Sequence, residues 1–150
     1  LEAIRYERCL AVMAVLEAPS VIPAPGVLSF NEGPVAWVAD NQKKGTSPEP
    51  AITLHASPEY SLNNWERDKQ EVGRELLDAV ADHLGAPVKE FQVHGWRYSR
   101  PISEETAGAF PLSSEPPLVL AGDAFAGPKI EGAILSGWAA ARALLRSSGV

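Results

Sequence analysis

Residues 118–146 restrict the possible folds more than any other part of the chain. Leu118-Val119-Leu120-Ala121 is a short apolar run that ends in Gly122-Asp123, and it reads as a strand. Gly127-Pro128 resets the chain, and a helix is predicted from Lys129 to about Arg146. Its expected apolar stripe is Ile130, Ala133, Ile134, Gly137, Ala141, Leu144 and Leu145. Asp123 would then lie just beyond the carboxyl end of a strand, where open α/β sheets bind ligands. A carboxylate there can accept a hydrogen bond from a sugar-like hydroxyl. The first helical turn, Ile130-Glu131-Gly132-Ala133, offers backbone N–H groups and the positive end of the helix dipole. Gly132 and Ala133 carry almost no side chain, so a flat ligand could approach the backbone. Gly137 and the alanines at 139, 140 and 141 suit close helix–sheet packing.

The upstream sequence reads differently. Cys9 to Leu16 is a continuous apolar run, predicted as a strand buried on both faces. Glu17 to Gly26 is Pro-rich and reads as a loop, and Val35 to Ala39 as a short strand. Asn41 to Pro50 is a polar turn in which Lys43-Lys44-Gly45 is expected to be solvated. Ala51 to Ser57 alternates, with Ile52, Leu54 and Ala56 facing one way and Thr53, His55 and Ser57 the other. After Pro58, one helix is predicted to about Leu84, with Asn63 or Asn64 as its N-cap. Val72, Leu76, Val80 and Leu84 form its stripe, Gly73 weakens it, and Gly85 stops it. Val88 to Ser99 is the longest strand candidate. Gln92, His94, Trp96 and Tyr98 share one face; Phe91, Val93, Gly95 and Arg97 share the other. The Pro- and Gly-rich residues 100–117 read as a loop. The fold expected is α+β: an antiparallel or mixed sheet with a helix on one face, then a strand–turn–helix that looks like a piece of a separate parallel α/β sheet. The domain division expected is 1–100, a linker over 101–117, and 118–150.

Composition removes several function classes. The 150 residues carry a formal net charge of -6 from 13 basic and 19 acidic side chains, which argues against a nucleic-acid surface. A single cysteine, Cys9, forbids an intrachain disulfide. A reducing, cytoplasmic location is the default for such a chain. No uninterrupted apolar segment has membrane-spanning length, so no membrane partner is expected. The histidines and Cys9 show no metal-ligand spacing, and neither a Ser-His-Asp arrangement nor a phosphate loop can be drawn. The start, Leu1-Glu2-Ala3-Ile4, lacks an initiator Met and reads as the interior of a longer or processed protein.

Gly-Asp-Ala-Phe at 122–125, the Gly-Pro spacer, and Lys129-Ile-Glu-Gly-Ala-Ile-Leu-Ser-Gly-Trp-Ala-Ala-Ala together resemble the C-terminal FAD motif of flavin amine oxidases. Cys9-Leu-Ala-Val-Met-Ala-Val-Leu, Trp37-Val-Ala-Asp-Asn, Thr53-Leu-His and Trp96-Arg-Tyr-Ser look like the renalase-type branch. The resemblance covers most of the chain. It implies a substrate-domain sheet over 1–100 and the last strand–turn–helix of an FAD-binding α/β domain over 118–150. Gly122 and Asp123 would then hold the ribityl chain. The backbone of Ile130, Glu131, Gly132 and Ala133 would face the pyrimidine edge of the isoalloxazine, where a helix N-terminus favours hydride acceptance. The implied chemistry is hydride transfer from an amine or dihydronicotinamide-like small molecule. An aromatic-hydroxylase-like flavoprotein also ends a strand in Gly-Asp-Ala, but Phe125 and the Glu131-Gly132-Ala133 helix speak against it. A non-enzymatic ligand- or partner-binding module is the alternative of a different class. The family's N-terminal Gly-x-Gly-x-x-Gly is absent from these residues, so the ADP half of FAD is expected on a missing N-terminal part or a separate chain.

Three side chains are expected on the substrate side. His55 reads equally as a half-buried histidine that only packs or as a substrate-cavity residue. Trp96 and Tyr98 read as core aromatics or as a ring wall above a planar cofactor. No catalytic acid or base is assigned, because hydride transfer needs alignment more than a strong base.

Overall fold

The computed structural model describes residues 4–102 and 107–147. They form seven strands and five helices: β1 Tyr6–Leu16, β2 Val27–Ser29, β3 Val35–Asp40, β4 Ala51–Ala56, α1 Pro58–Asn63, α2 Lys69–Asp78, α3 Ala81–Leu84, β5 Val88–Pro101, β6 Phe110–Ser114, β7 Pro117–Leu120, α4 Asp123–Ala126 and α5 Ile130–Ser147. There are two compact units. One is Arg8–Arg97; the other is built from the described parts of Leu1–Glu7 and Tyr98–Val150.

A five-stranded sheet runs in the order β2, β3, β4, β1, β5. The pairings of β2 with β3, β3 with β4, and β4 with β1 are antiparallel. The alternation predicted for β4 is present, with Ile52, Leu54 and Ala56 buried and Thr53 and His55 half-buried. In β1, Cys9 to Val12 are buried on both faces, and Met13 to Leu16 alternate. Leu10, Val12, Ile52 and Leu54 pack with Val72, Leu76, Val80 and Leu84 in the core of the first unit. Burying each such Val, Leu or Ile side chain contributes roughly 1.5–3 kcal/mol.

The helical region departs from the single helix expected over 63–84. Ser57, not Asn63 or Asn64, caps the first piece: its hydroxyl accepts from the Tyr60 amide, and Pro58 follows at the first helical turn. The Leu10 amide donates to the buried Ser61 hydroxyl at 3.1 Å, which ties α1 to β1. Asn64 ends α1, and Asp68 restarts the chain by accepting from the Gln70 and Glu71 amides at 2.9 and 3.0 Å. The break has a packing cause. Trp65 leaves the helical path and lies against Gly95, where an added Cβ would meet its ring at 3.0 Å. Arg8 sits 5.0 Å from the Trp65 ring centre and Lys69 5.6 Å. The stripe Val72, Leu76, Val80 and Leu84 is nonetheless buried as expected, and Gly85 ends α3 with a positive φ of 64°.

Gly73 weakens α2 by propensity but serves its packing. A methyl group there would overlap the Phe91 ring and stand 2.7 Å from Val93 Cγ2. Phe91, Val93 and Gly95 therefore form the inward side of β5, and Gln92, His94, Trp96 and Tyr98 are exposed.

In the second unit, the stretch read as a loop over 100–117 contains β6. β6 pairs antiparallel with β7, so the predicted strand at 118–121 has an antiparallel partner rather than a parallel one. The turn expected over 122–128 holds the one-turn helix α4. The face of α5 that is buried also differs from the predicted stripe. Gly132, Ser136 and Ala140 are buried, whereas Ile130, Ile134, Leu144 and Leu145 are exposed. Small side chains at every fourth position let the helix approach α4 closely, and the bulky residues are left outside.

Candidate functional site

The strand–turn–helix carries one carboxylate, Asp123, at the start of α4, and the N-terminus of α5 follows at Ile130. β7 ends at Leu120, and Gly122 carries the chain into α4 at φ 153°, a conformation L side chains rarely adopt. The Gly122 amide donates to the Ser136 hydroxyl at 2.9 Å. Gly127, at φ 112°, leads out of α4. Cβ atoms added at Gly122 or Gly127 would meet nothing within 4 Å. Space beside that backbone is open. Asp123 is half-buried, and its Oδ1 accepts from the Tyr6 hydroxyl at 3.3 Å. Burial, and then the Asp123 charge and hydrogen bond, push the Tyr6 phenol above its ordinary value. The Tyr6 ring lies edge-on to Tyr98, with centres 5.8 Å apart.

At the start of α5, the Ala133 amide donates to the Lys129 carbonyl at 3.0 Å. The amides of Ile130, Glu131 and Gly132 lie ahead of that bond, at the positive end of an 18-residue helix. Ala133 therefore spends its amide inside the helix. Gly132 is buried because its Cα faces the backbone of α4. A methyl group there would overlap the Gly127 carbonyl and stand 2.8 Å from the Ala126 carbonyl. This helix–turn joint by itself requires glycine at 132.

The first unit carries a second group of residues on the sheet face opposite its core. His55 pairs with Ala11 on one side and Trp37 on the other. The Trp37 and His55 rings are 5.0 Å apart at an interplanar angle of 37°, and the Lys44 ammonium lies 5.4 Å from the Trp37 ring centre. Burial first, and then the Lys44 charge, hold the His55 imidazole below its ordinary value. It is therefore neutral at pH 7. Thr53, on the same face, accepts from Asn41 Nδ2 at 3.0 Å. His94 stands edge-on to Trp96 with centres 4.5 Å apart. Trp96 is 53% and Tyr98 73% exposed; Tyr98 belongs to the second unit, beside Tyr6. A cavity of about 610 Å³ lies between α2, α3 and the start of β5, and none of the sequence-predicted site residues lines it. The lysine pair is exposed, as expected for a solvated turn, and it also makes contacts. Besides Lys44 on Trp37, Lys43 Nζ donates to the Ser20 and Ile22 carbonyls.

No group of three or more His, Cys, Asp or Glu is placed to hold a metal among the described residues. None of the described helices is long and apolar enough to cross a membrane. The family model for flavin containing amine oxidoreductases matches residues 23–145. The chain belongs to this family. Its cofactor is FAD, and its members are oxidoreductases.

The donor set of this flavin-containing amine oxidoreductase fits one end of that cofactor. A half-buried carboxylate, open backbone at Gly122 and three helix-end amides suit a polyhydroxyl chain joined to an electron-poor ring. The residues contain no Gly-x-Gly-x-x-Gly to receive the pyrophosphate. Sequence reasoning missed Tyr6, Lys44 and Ser136. Ser136 had a signal available, since it continues the four-residue spacing of Gly132 and Ala140. Tyr6 had none, because it lies 117 positions from Asp123.

Proposed function

We propose that this amine oxidoreductase chain is the C-terminal portion of a renalase-like enzyme. It takes a hydride from an amine or dihydronicotinamide-like small molecule. In this reading residues 1–100 form the substrate side, 101–117 connect, and 118–150 complete the FAD-binding domain. The dinucleotide half comes from a segment or chain outside these residues. The observation that carries the proposal is the Gly122-Asp123 strand end, half-buried at its carboxylate, that leads through α4 into the long helix α5.

FAD, when bound, supplies the two-electron acceptor. Gly122 and Asp123 hold its ribityl hydroxyls. The Ile130, Glu131 and Gly132 amides stabilise negative charge at the ring edge, and the helix dipole adds to them. His55, tilted against the Trp37 ring, offers an uncharged aromatic surface to a heteroaromatic substrate, and Trp96 and Tyr98, each with an exposed ring, remain substrate-side candidates. The family match favours this reading over an aromatic hydroxylase.

The test is the visible spectrum of the chain purified alone and with the reading frame that precedes it. A yellow complex that forms only with the upstream part is expected, and anaerobic addition of a dihydronicotinamide or an amine should bleach it. Asp123→Ala should reduce the flavin retained by about tenfold, the scale of one lost charge-assisted hydrogen bond. Absence of flavin uptake in both preparations would remove the enzyme reading. Full flavin content in Asp123→Ala would remove Asp123 from the cofactor site.

A further inference from the structure

Asp123 is the only carboxylate in the turn, yet the turn itself does not orient it. Among the described residues its Oδ1 has one partner, the Tyr6 hydroxyl at 3.3 Å, and its Oδ2 has none. α4 is a single turn of four residues bounded by two glycines of positive φ. A side chain on so short an element needs an outside contact to keep one rotamer. Tyr6 is in turn fixed through its ring, which stands edge-on to Tyr98 at 5.8 Å. The same strand end is anchored nearby: Glu7 accepts from Arg100 at 2.8 and 3.0 Å, and the Ile102 amide donates to the Arg5 carbonyl at 2.9 Å. The tyrosine is thus held at both its backbone and its ring, and its hydroxyl points at one oxygen of the carboxylate.

We infer that Tyr6 is a positioning residue for flavin binding, one that engages Asp123 Oδ1 and leaves Oδ2 aimed at a ribityl hydroxyl. The inference rests on the reading of Asp123 as the ribityl-holding residue. A 3.3 Å hydroxyl–carboxylate contact is long for this type of bond. It takes little negative charge from the carboxylate while restricting its rotation. A carboxylate ordered before the ligand arrives loses less entropy on binding. The competing effect has the opposite sign. If the phenol mainly withdrew charge from Asp123, its loss would make the carboxylate a better acceptor and tighten binding.

The experiment uses the full-length protein and measures FAD dissociation from the recovery of free-flavin fluorescence. Tyr6→Phe keeps the ring and its contact with Tyr98 and removes only the hydroxyl. FAD should bind about threefold to tenfold more weakly in Tyr6→Phe, the range of one lost hydrogen bond. Asp123→Ala and the shape-preserving Asp123→Asn should weaken it further. In the Asp123→Ala background, adding Tyr6→Phe should change nothing more, because Tyr6 acts through the side chain at 123. A merely structural tyrosine would give additive losses, and that result overturns the inference. Unchanged or tighter binding in Tyr6→Phe, with weaker binding in the Asp123 variants, overturns it while leaving the Asp123 assignment intact. Unchanged binding in both Asp123 variants instead overturns the Asp123 assignment, and the role of Tyr6 with it.

Discussion

Asp40 shows how one buried charge organises a loop. It is 2% exposed. Its carboxylate accepts from Ser20 Oγ at 2.6 Å and from the Lys43 amide at 2.8 Å, with the Lys43 ammonium 3.7 Å away. Burial pushes the carboxyl upward, but the Ser20 and Lys43 hydrogen bonds and the lysine charge outweigh it, so the net value lies below the ordinary one. A carboxylate depressed in the folded state stabilises the fold above the unfolded-state value, and that contribution is lost as pH falls through the folded value. Denaturant titrations should therefore show stability falling as the pH drops below about 4. Asp40→Asn should flatten that acid limb. Asp40→Ala should cost on the order of 3 kcal/mol at pH 7, because the Lys43 ammonium and Ser20 hydroxyl lose their partner. An unaltered acid limb in Asp40→Asn would show that another carboxylate controls it.

At the scale of elements, the contact between α2 and β5 depends on one missing side chain. Gly73→Ala adds helix propensity worth up to about 1 kcal/mol but drives a methyl group into the Phe91 ring. Overpacking of this kind costs about 1–3 kcal/mol. The variant should therefore be destabilised by chemical denaturation, and a pairing with Phe91→Leu should recover part of the loss. The sequence made β4 and β5 legible because a period of two survives wherever one face is buried, β1 as a continuous apolar run, and β3 as a short strand. It also showed the apolar stripe of α2 and α3. It did not show the breaks at residues 64–68, because they are caused by Trp65 packing on Gly95, thirty positions away. The face of α5 was misjudged for a related reason: polarity marks bulky residues as core, whereas a close helix joint selects for small volume. For the candidate site, Gly122-Asp123 and the helix start were readable from spacing. The tyrosine beside Asp123 and the Trp37–Lys44 contact near His55 were not, since tertiary contacts leave no local pattern.

For the molecule as a whole, the described surface is unusually apolar along α5. Ile130 is 83% exposed, and Ile134, Trp138 and Leu145 are each at least half exposed. A contiguous patch of this kind drives association in water. The chain expressed by itself should bind a hydrophobic dye and show concentration-dependent light scattering. Replacing Ile134 and Trp138 with lysine and glutamine should reduce both signals, and no reduction would place the sticky surface elsewhere. The two sides of α5 also respond to different selection. Position 132 should act as a size filter, since a methyl group there already overlaps the Gly127 carbonyl, and the buried Ser136 and Ala140 continue the same side. Positions 130, 134 and 138 are exposed and should tolerate a wider range of volumes. A saturation library across α5 would separate these two tolerances with a spacing of four residues. The turn carrying Asp123 is tied to the inner side of the helix by the Gly122–Ser136 hydrogen bond.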